Sequence, residues 1–185
     1  MEITTIAIIL IIFFVAFVWS LYNGLVTKKL RVDEAWSQIE VQLRRRADLV
    51  PNLVEIVKGY VKHEKSVFES VTKARSALIS AKSPKDMASA NNLLTEALKS
   101  VFAVAEAYPK LEASENFKSL QIEVTDTEDK VAYSRQFYNN VVMEFNTALK
   151  IFPNFLLVGT LGFKQAEFFD DELDAEGKKA PKINI

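Results

Sequence analysis

A single histidine, His63, and no cysteine limit the chemistry open to these 185 residues. A Cys–His nucleophile pair is impossible, and a multi-histidine metal site cannot form within one chain. His63-Glu64 opens like a zinc-protease motif, but Val67 stands where the second histidine belongs. The di-iron pattern of helical bundles needs a glutamate three residues before the histidine, and that position is Tyr60. No glycine-rich loop is present to cradle a phosphate. His63 therefore reads as a solvated or helix-face residue. No cofactor, no metal and no enzyme activity are expected.

Two polar positions stand out instead. Glu64 interrupts an apolar stripe between Val57 and Val71, where a charge is costly unless paired. Arg75 or Arg135 would supply the partner and create a polar layer that fixes helix register; the other reading is that the stripe wanders and Glu64 sits at its edge. Asn91 admits the same two readings. The run Arg44-Arg45-Arg46 suggests lipid binding, but Arg45 lies roughly 25 Å along a helix from Lys28. That is several times the Debye length of about 8 Å, so headgroup attraction is screened. A solvated tip, contacts inside a bundle, or partner docking remain.

The elements that position these residues begin with an apolar stretch. Ile3 to Thr27 carries no charge, and Lys28, Lys29 and Arg31 follow at once. About 20 apolar residues in a helix span the hydrocarbon core, and Trp19 and Tyr22 stand where an aromatic belt belongs. A cleaved signal peptide would have a basic start and a small-residue cleavage site, and neither is there; a retained anchor is expected. The remaining residues suffice for one domain with a single core. Acidic and basic residues number 24 and 23, so no net field recruits nucleic acid.

Periodicity and prolines divide the rest into four helices. Leu25, Val32, Trp36, Ile39, Leu43 and Val50 share one face, and the first bundle helix, continuous with the anchor, is expected to end near Asp48. Pro51 suits the first turn of the second helix, which would carry Leu53, Val57, Tyr60, Val67, Val71, Ala74, Leu78 and Ala81. Ser83-Pro84-Lys85-Asp86 reads as a capped start for the third, running to Pro109 with Met87, Leu94, Leu98, Val101 and Ala105 inside. Ser114 can cap the fourth. In that helix Phe117, Val124, Val131, Tyr138, Phe145 and Phe152 recur at seven, the seam of an antiparallel up-and-down four-helix bundle. About 32 Å of first helix against roughly 55 Å of fourth would force the bundle to lean, the chain to bend near Asn23-Gly24, or the fourth helix to overshoot the far tip.

Tyr133 and Phe137 stand one turn apart and off this seam, as an aromatic contact site for another subunit or as the edge of a wide buried arc. The fourth helix returns toward the bilayer and delivers an apolar run containing Phe155, Leu157 and Phe163, too short for a second span. That run would meet lipid, the bundle base or a neighbouring subunit. The resulting organisation is an anchor (1–27), a four-helix bundle (28–152), a membrane-proximal apolar segment (153–169) and a charged tail (170–185).

Several long motifs resemble the LemA family of bacterial membrane proteins. They are Tyr22-Asn23-Gly24-Leu25-Val26, the unbroken stretch Ala35 to Glu55, and Val57-Lys58-Gly59-Tyr60-Val61-Lys62-His63-Glu64. Shorter matches follow at Ala90-Asn91-Asn92, Tyr108-Pro109-Lys110-Leu111, Asn116-Phe117, Leu120-Gln121, Tyr138-Asn139, Phe145-Asn146 and Phe152-Pro153. Agreement covers about Leu21 to Phe169, and Phe155–Gly162 departs from the family pattern. The resemblance implies a one-pass anchor, an extracellular N-terminus and a helical bundle without an agreed biochemical activity. One relative takes part in magnetosome membrane formation, and family genes often lie beside membrane proteases.

The expectation is a non-enzymatic, membrane-anchored scaffold that self-assembles, touching membrane lipid and its own copies. An accessory subunit of a membrane protease is the alternative. Because basic flanks stay cytoplasmic, the bundle is expected inside the cell membrane and the N-terminus outside. A cysteine placed at Thr4 should then react with an impermeant thiol reagent in intact cells and one at Asp174 should not. The opposite labelling pattern would reverse the orientation.

Overall fold

The computed structural model describes residues 2–61 and 64–169; His63 and the charged tail lie outside them. The protein is all-α, and no strand occurs among the described residues. Its helices are α1 (Glu2–Tyr60), α2 (Lys65–Ser80), α3 (Pro84–Glu106), the short α4 (Pro109–Glu112), α5 (Glu115–Lys150) and α6 (Val158–Leu161), with a 3-10 turn over Asn154–Leu156. The described residues cluster into two compact units that share α1 and α5: one within 2–36 and 137–166, the other within 37–136 with 167–169.

In the first unit α1 opens with a surface that no other described part of the chain covers, and it is the one helix among the described residues long and apolar enough to cross a membrane. Burial begins at Leu25 and continues through Val32 and Ala35. Opposite them α5 buries Tyr138, Val142, Phe145, Ala148 and Leu149. Trp36 packs on Tyr138 with ring centroids 5.5 Å apart, and Lys28 Nζ lies 4.0 Å from Glu144. The two helices therefore run antiparallel, because moving back along α1 advances along α5.

The second unit contains the core that the periodicities predicted. Ile39, Leu43, Val50, Leu53 and Val57 of α1, Val71, Ala74 and Leu78 of α2, Leu94, Leu98 and Val101 of α3, and Phe117, Val124 and Val131 of α5 are all buried. Ser83 caps α3 as its sequence indicated, its Oγ accepting the Asp86 amide at 3.1 Å ahead of Pro84 at the first turn.

The first two helices depart from expectation. α1 does not stop near Asp48; it runs through Pro51 to Tyr60, and α2 begins at Lys65. Pro51 has no amide hydrogen, so it cannot bond the carbonyl of Ala47 four residues earlier. Arg75 of α2 supplies the donor, its Nε bonding Ala47 O at 2.8 Å. The orphan carbonyl is satisfied from the neighbouring helix, and the proline no longer ends the element. Leu53, Val57 and Tyr60 thus belong to α1. From Lys28 to Tyr60 that helix is about 50 Å long and α5 about 54 Å, so the two lengths lie closer than the 32 Å and 55 Å expected. The seam of α5 also ends earlier than expected. Phe152 lies beyond Lys150, where the helix stops, and is 75% exposed.

Replacing Arg75 with Met should destabilise the protein by about 1–2 kcal/mol, because a half-buried carbonyl loses its donor. The accompanying Arg75–Asp48 contact at 4.0 Å is exposed on the Asp48 side and adds little. In a Pro51→Ala background the new amide reaches Ala47 O, so the same Arg75→Met change should cost measurably less. Thermal unfolding of the full chain in detergent micelles reads this double-mutant cycle; strictly additive effects would show that Arg75 is not compensating for the proline.

Candidate functional site

Two regions hold the polar and aromatic residues that could act on something outside the chain. One is a polar cleft in the second unit, the other the end of α5 in the first.

Arg46 is the centre of the cleft. Ile39, Leu43, Arg46 and Val50 recur at three-four spacing, so the inward face of α1 carries the arginine into the core, where it is 1% exposed. Its Nη1 donates to Asn91 Oδ1 at 2.8 Å and to Thr95 Oγ1 at 3.0 Å, both on α3. Its Nη2 donates to Glu128 Oε2 of α5 at 3.2 Å. Burial lowers the guanidinium's proton affinity and Glu128 pulls in the opposite direction. Arginine stays charged at neutral pH regardless, so three acceptors must hold a buried cation.

Beside Arg46 a cleft of about 220 Å³ is lined by Asn91, Asn92, Thr95, Glu96, Lys99, Glu128 and Arg135. Lys99 Nζ donates to Glu96 at 2.8 Å, and the pairing raises the lysine's proton affinity. Neither histidine nor cysteine lines the cleft. No group of three or more metal-ligating side chains occurs among the described residues. Its evident work is structural, a polar layer tying α1 to α3 and α5.

Asn91 and Arg135 come together in this layer. Glu64 and Arg75 do not join them. Glu64 stands at the N-cap of α2, half-buried, with its backbone carbonyl accepting the amides of Val67 and Phe68 at 3.2 and 3.4 Å. It lies at the start of α2, not within a continuous stripe. Of the arginine run, Arg44 and Arg45 are exposed and Arg46 alone turns inward. Arg46 was not singled out as a polar core residue, yet its place on the apolar face of α1 was readable from the same spacing that located Leu43 and Val50.

The aromatic candidates divide by position. Tyr133 is 73% exposed and Phe137 42%, and both stand away from the buried face of α5. Phe163 is half-buried, its ring 5.9 Å from Tyr22 of α1 and 6.4 Å from Phe145 of α5. Leu157 is half-buried as well, while Phe155 is exposed. Phe152 and Leu156 are more exposed still, although sequence spacing had put Phe152 in the core. Asn146 holds the following chain in place: its Nδ2 donates to Ala166 O at 2.9 Å and its Oδ1 accepts the Ala166 amide at 2.8 Å.

Asn91→Leu should deprive a buried guanidinium of its shortest acceptor at a cost of about 2 kcal/mol. For a chain of this size that is a fall of roughly 4–8 °C in the unfolding midpoint. Arg46→Met in the same background should recover most of the loss, since an apolar side chain of similar length needs no acceptor. A double variant no more stable than Asn91→Leu alone would mean that the layer does not depend on solvating Arg46.

Comparison with known proteins adds relatives to this geometry. The family model described as "LemA family" matches residues 35–185. The magnetosome protein MamQ of Magnetospirillum gryphiswaldense is 25% identical over 187 residues, covering 85% of this chain and 69% of the relative. Magnetosome protein MamQ 1 of Paramagnetospirillum magneticum is 24% identical over 193 residues, covering 90% and 71%. Protein LemA of Metamycoplasma hominis is 25% identical over 134 residues, covering 70% of this chain and 60% of its own. With most of its length matched by the family model, and the apolar helix and helical core in place, the chain belongs to the LemA family.

Proposed function

We propose that this protein is a non-enzymatic scaffold anchored in a membrane by the first part of α1, with its helical core in the cytoplasm, whose copies associate sideways to organise membrane or partner proteins. The observation that carries the reading is the outward face of α5. Ile122 and Tyr133, three helical turns apart and both strongly exposed, lie on one side of the helix, with Phe137 one turn further. The buried residues Phe117, Val124 and Val131 occupy the other side. Exposed aromatics on a rigid helix are strong anchors for a protein contact. Copies held in one bilayer also meet at raised effective concentration, so a modest patch suffices.

Relatives named as magnetosome proteins support the membrane part of this reading. The sequence supports the non-enzymatic part, through its lack of cysteine and its single histidine. The work assigned to the protein is therefore positional.

Tyr133→Ser with Phe137→Ser should reduce assembly size, measured by light scattering in detergent, while circular dichroism keeps its helical signal. Tyr133→Ser alone, at a position too exposed to support the fold, should move assembly in the same direction. Assemblies of unchanged size in both variants would sink the α5 interface.

A further inference from the structure

The end of α5 carries more than the anchor and the scaffold explain. Beyond Lys150 the chain runs thirteen residues without a charge, Ile151 to Phe163, and Lys164 closes the run. Ile151, Phe152, Phe155 and Leu156 are all more than half exposed. The Phe152 and Phe155 rings sit together with centroids 6.4 Å apart. Four exposed apolar side chains in six residues are an unusual feature to leave facing water.

Their level along α1 follows from the antiparallel pairing. Trp36 faces Tyr138 and Lys28 faces Glu144, so the same register carries Lys150 to the level of Tyr22 and Asn23. The contact between Phe163 and Tyr22 places the following segment there independently. Tyr22 lies within the uncharged stretch, about 9 Å to the apolar side of Lys28. The segment is also held from within the unit: Asn154 Nδ2 donates to Ala148 O at 2.8 Å, and Asn146 clasps Ala166. Its exposed residues are thus fixed level with the end of the uncharged stretch of α1.

We propose that residues 151–156 form a second membrane contact, a foot that buries Phe152, Phe155 and Leu156 at the boundary between headgroups and acyl chains beside the α1 span. This rests on the reading of α1 as a span. Burial about 5–10 Å below the surface is the depth that interfacial apolar faces adopt, and it matches the position of Tyr22. Lys150 and Lys164, both exposed, flank the foot and reach back to lipid phosphates. The occupant of the apolar surface is a phospholipid bilayer. Two attachments per copy, the span and the foot, set the rotation of the first unit about the α1 axis, which a single helix leaves free.

The chain lacks cysteine, so single cysteines at Phe152, Phe155, Phe13 and Asn140 each take one environment-sensitive fluorophore in the full chain. The labelled proteins are reconstituted in vesicles of phosphatidylethanolamine and phosphatidylglycerol. Labels at 152 and 155 should emit to the blue of the label at 140. Shallow spin-labelled lipid should quench them several-fold more strongly than it quenches the label at 140, and iodide should quench them less. Position 13, within the span, should respond to deep spin-labelled lipid. Failure at 13 would remove the anchor and the foot together. Success at 13 with water-like labels at 152 and 155 would overturn the foot alone. Labels at 152 and 155 shielded from iodide yet untouched by spin-labelled lipid would also overturn it, and would assign the surface to a neighbouring copy.

Discussion

One backbone carbonyl shapes the second unit. Ala47 O faces the missing amide of Pro51, and a helix in which it went unanswered would end there or lose stability. Arg75 answers it from α2, and that bond lets α1 continue to Tyr60. The helix then presents Leu53, Val54 and Val57 to the core as an extension of the face that already carries Leu43 and Val50. α1 ends at Tyr60, and α2 begins at Lys65. The proline in effect selects its neighbour, because an arginine at this register is what makes it tolerable inside the element.

The buried guanidinium of Arg46 is a second constraint of the same kind. A purely apolar set of four helical segments can slide by a turn at little cost, whereas a charge in the core has to meet its acceptors. Asn91, Thr95 and Glu128 come from two helices, so only one register of α1 against α3 and α5 satisfies all three. Polar residues in the α5 seam fit the same picture. Thr127 is fully buried between Val124 and Val131 and turns its hydroxyl onto the Val124 carbonyl at 2.7 Å. The core is therefore specified as much by where polarity sits as by where apolar groups pack.

The first unit uses different means. Its aromatic contacts, Trp36 on Tyr138 and Phe163 between Tyr22 and Phe145, align α1 with α5 where the chain passes from an uncharged to a charged surface. Asn146 closes this arrangement by treating Ala166 as a strand neighbour would, donating to its carbonyl and accepting its amide. Buried asparagine in a helix is tolerated when all its polar atoms are paired, and here one side chain fixes the path of the segment after α6. A protein whose role is position gains directly from such rigidity.

What the sequence determined by itself was whatever local periodicity encodes. The uncharged stretch before Lys28, the stripes of α3 and α5, and the Ser83 cap depend on residues three, four or seven apart on one helix, and a reader needs no neighbour to find them. The family motifs were legible in the same direct way. Pro51, Arg75 and Arg46 were different, because each depends on a partner remote in sequence. Local propensity says that a proline starts or stops a helix; only α2, delivering Arg75 to Ala47 O, made it an interior residue. Local patterning left Glu64 inside a stripe or at its edge and put Phe152 in a seam, whereas the structure has Glu64 at the N-cap of α2 and Phe152 exposed. For the proline and the two arginines the physical reason is common: the free energy of a buried polar group depends on what surrounds it, and helices distant in sequence supply those surroundings.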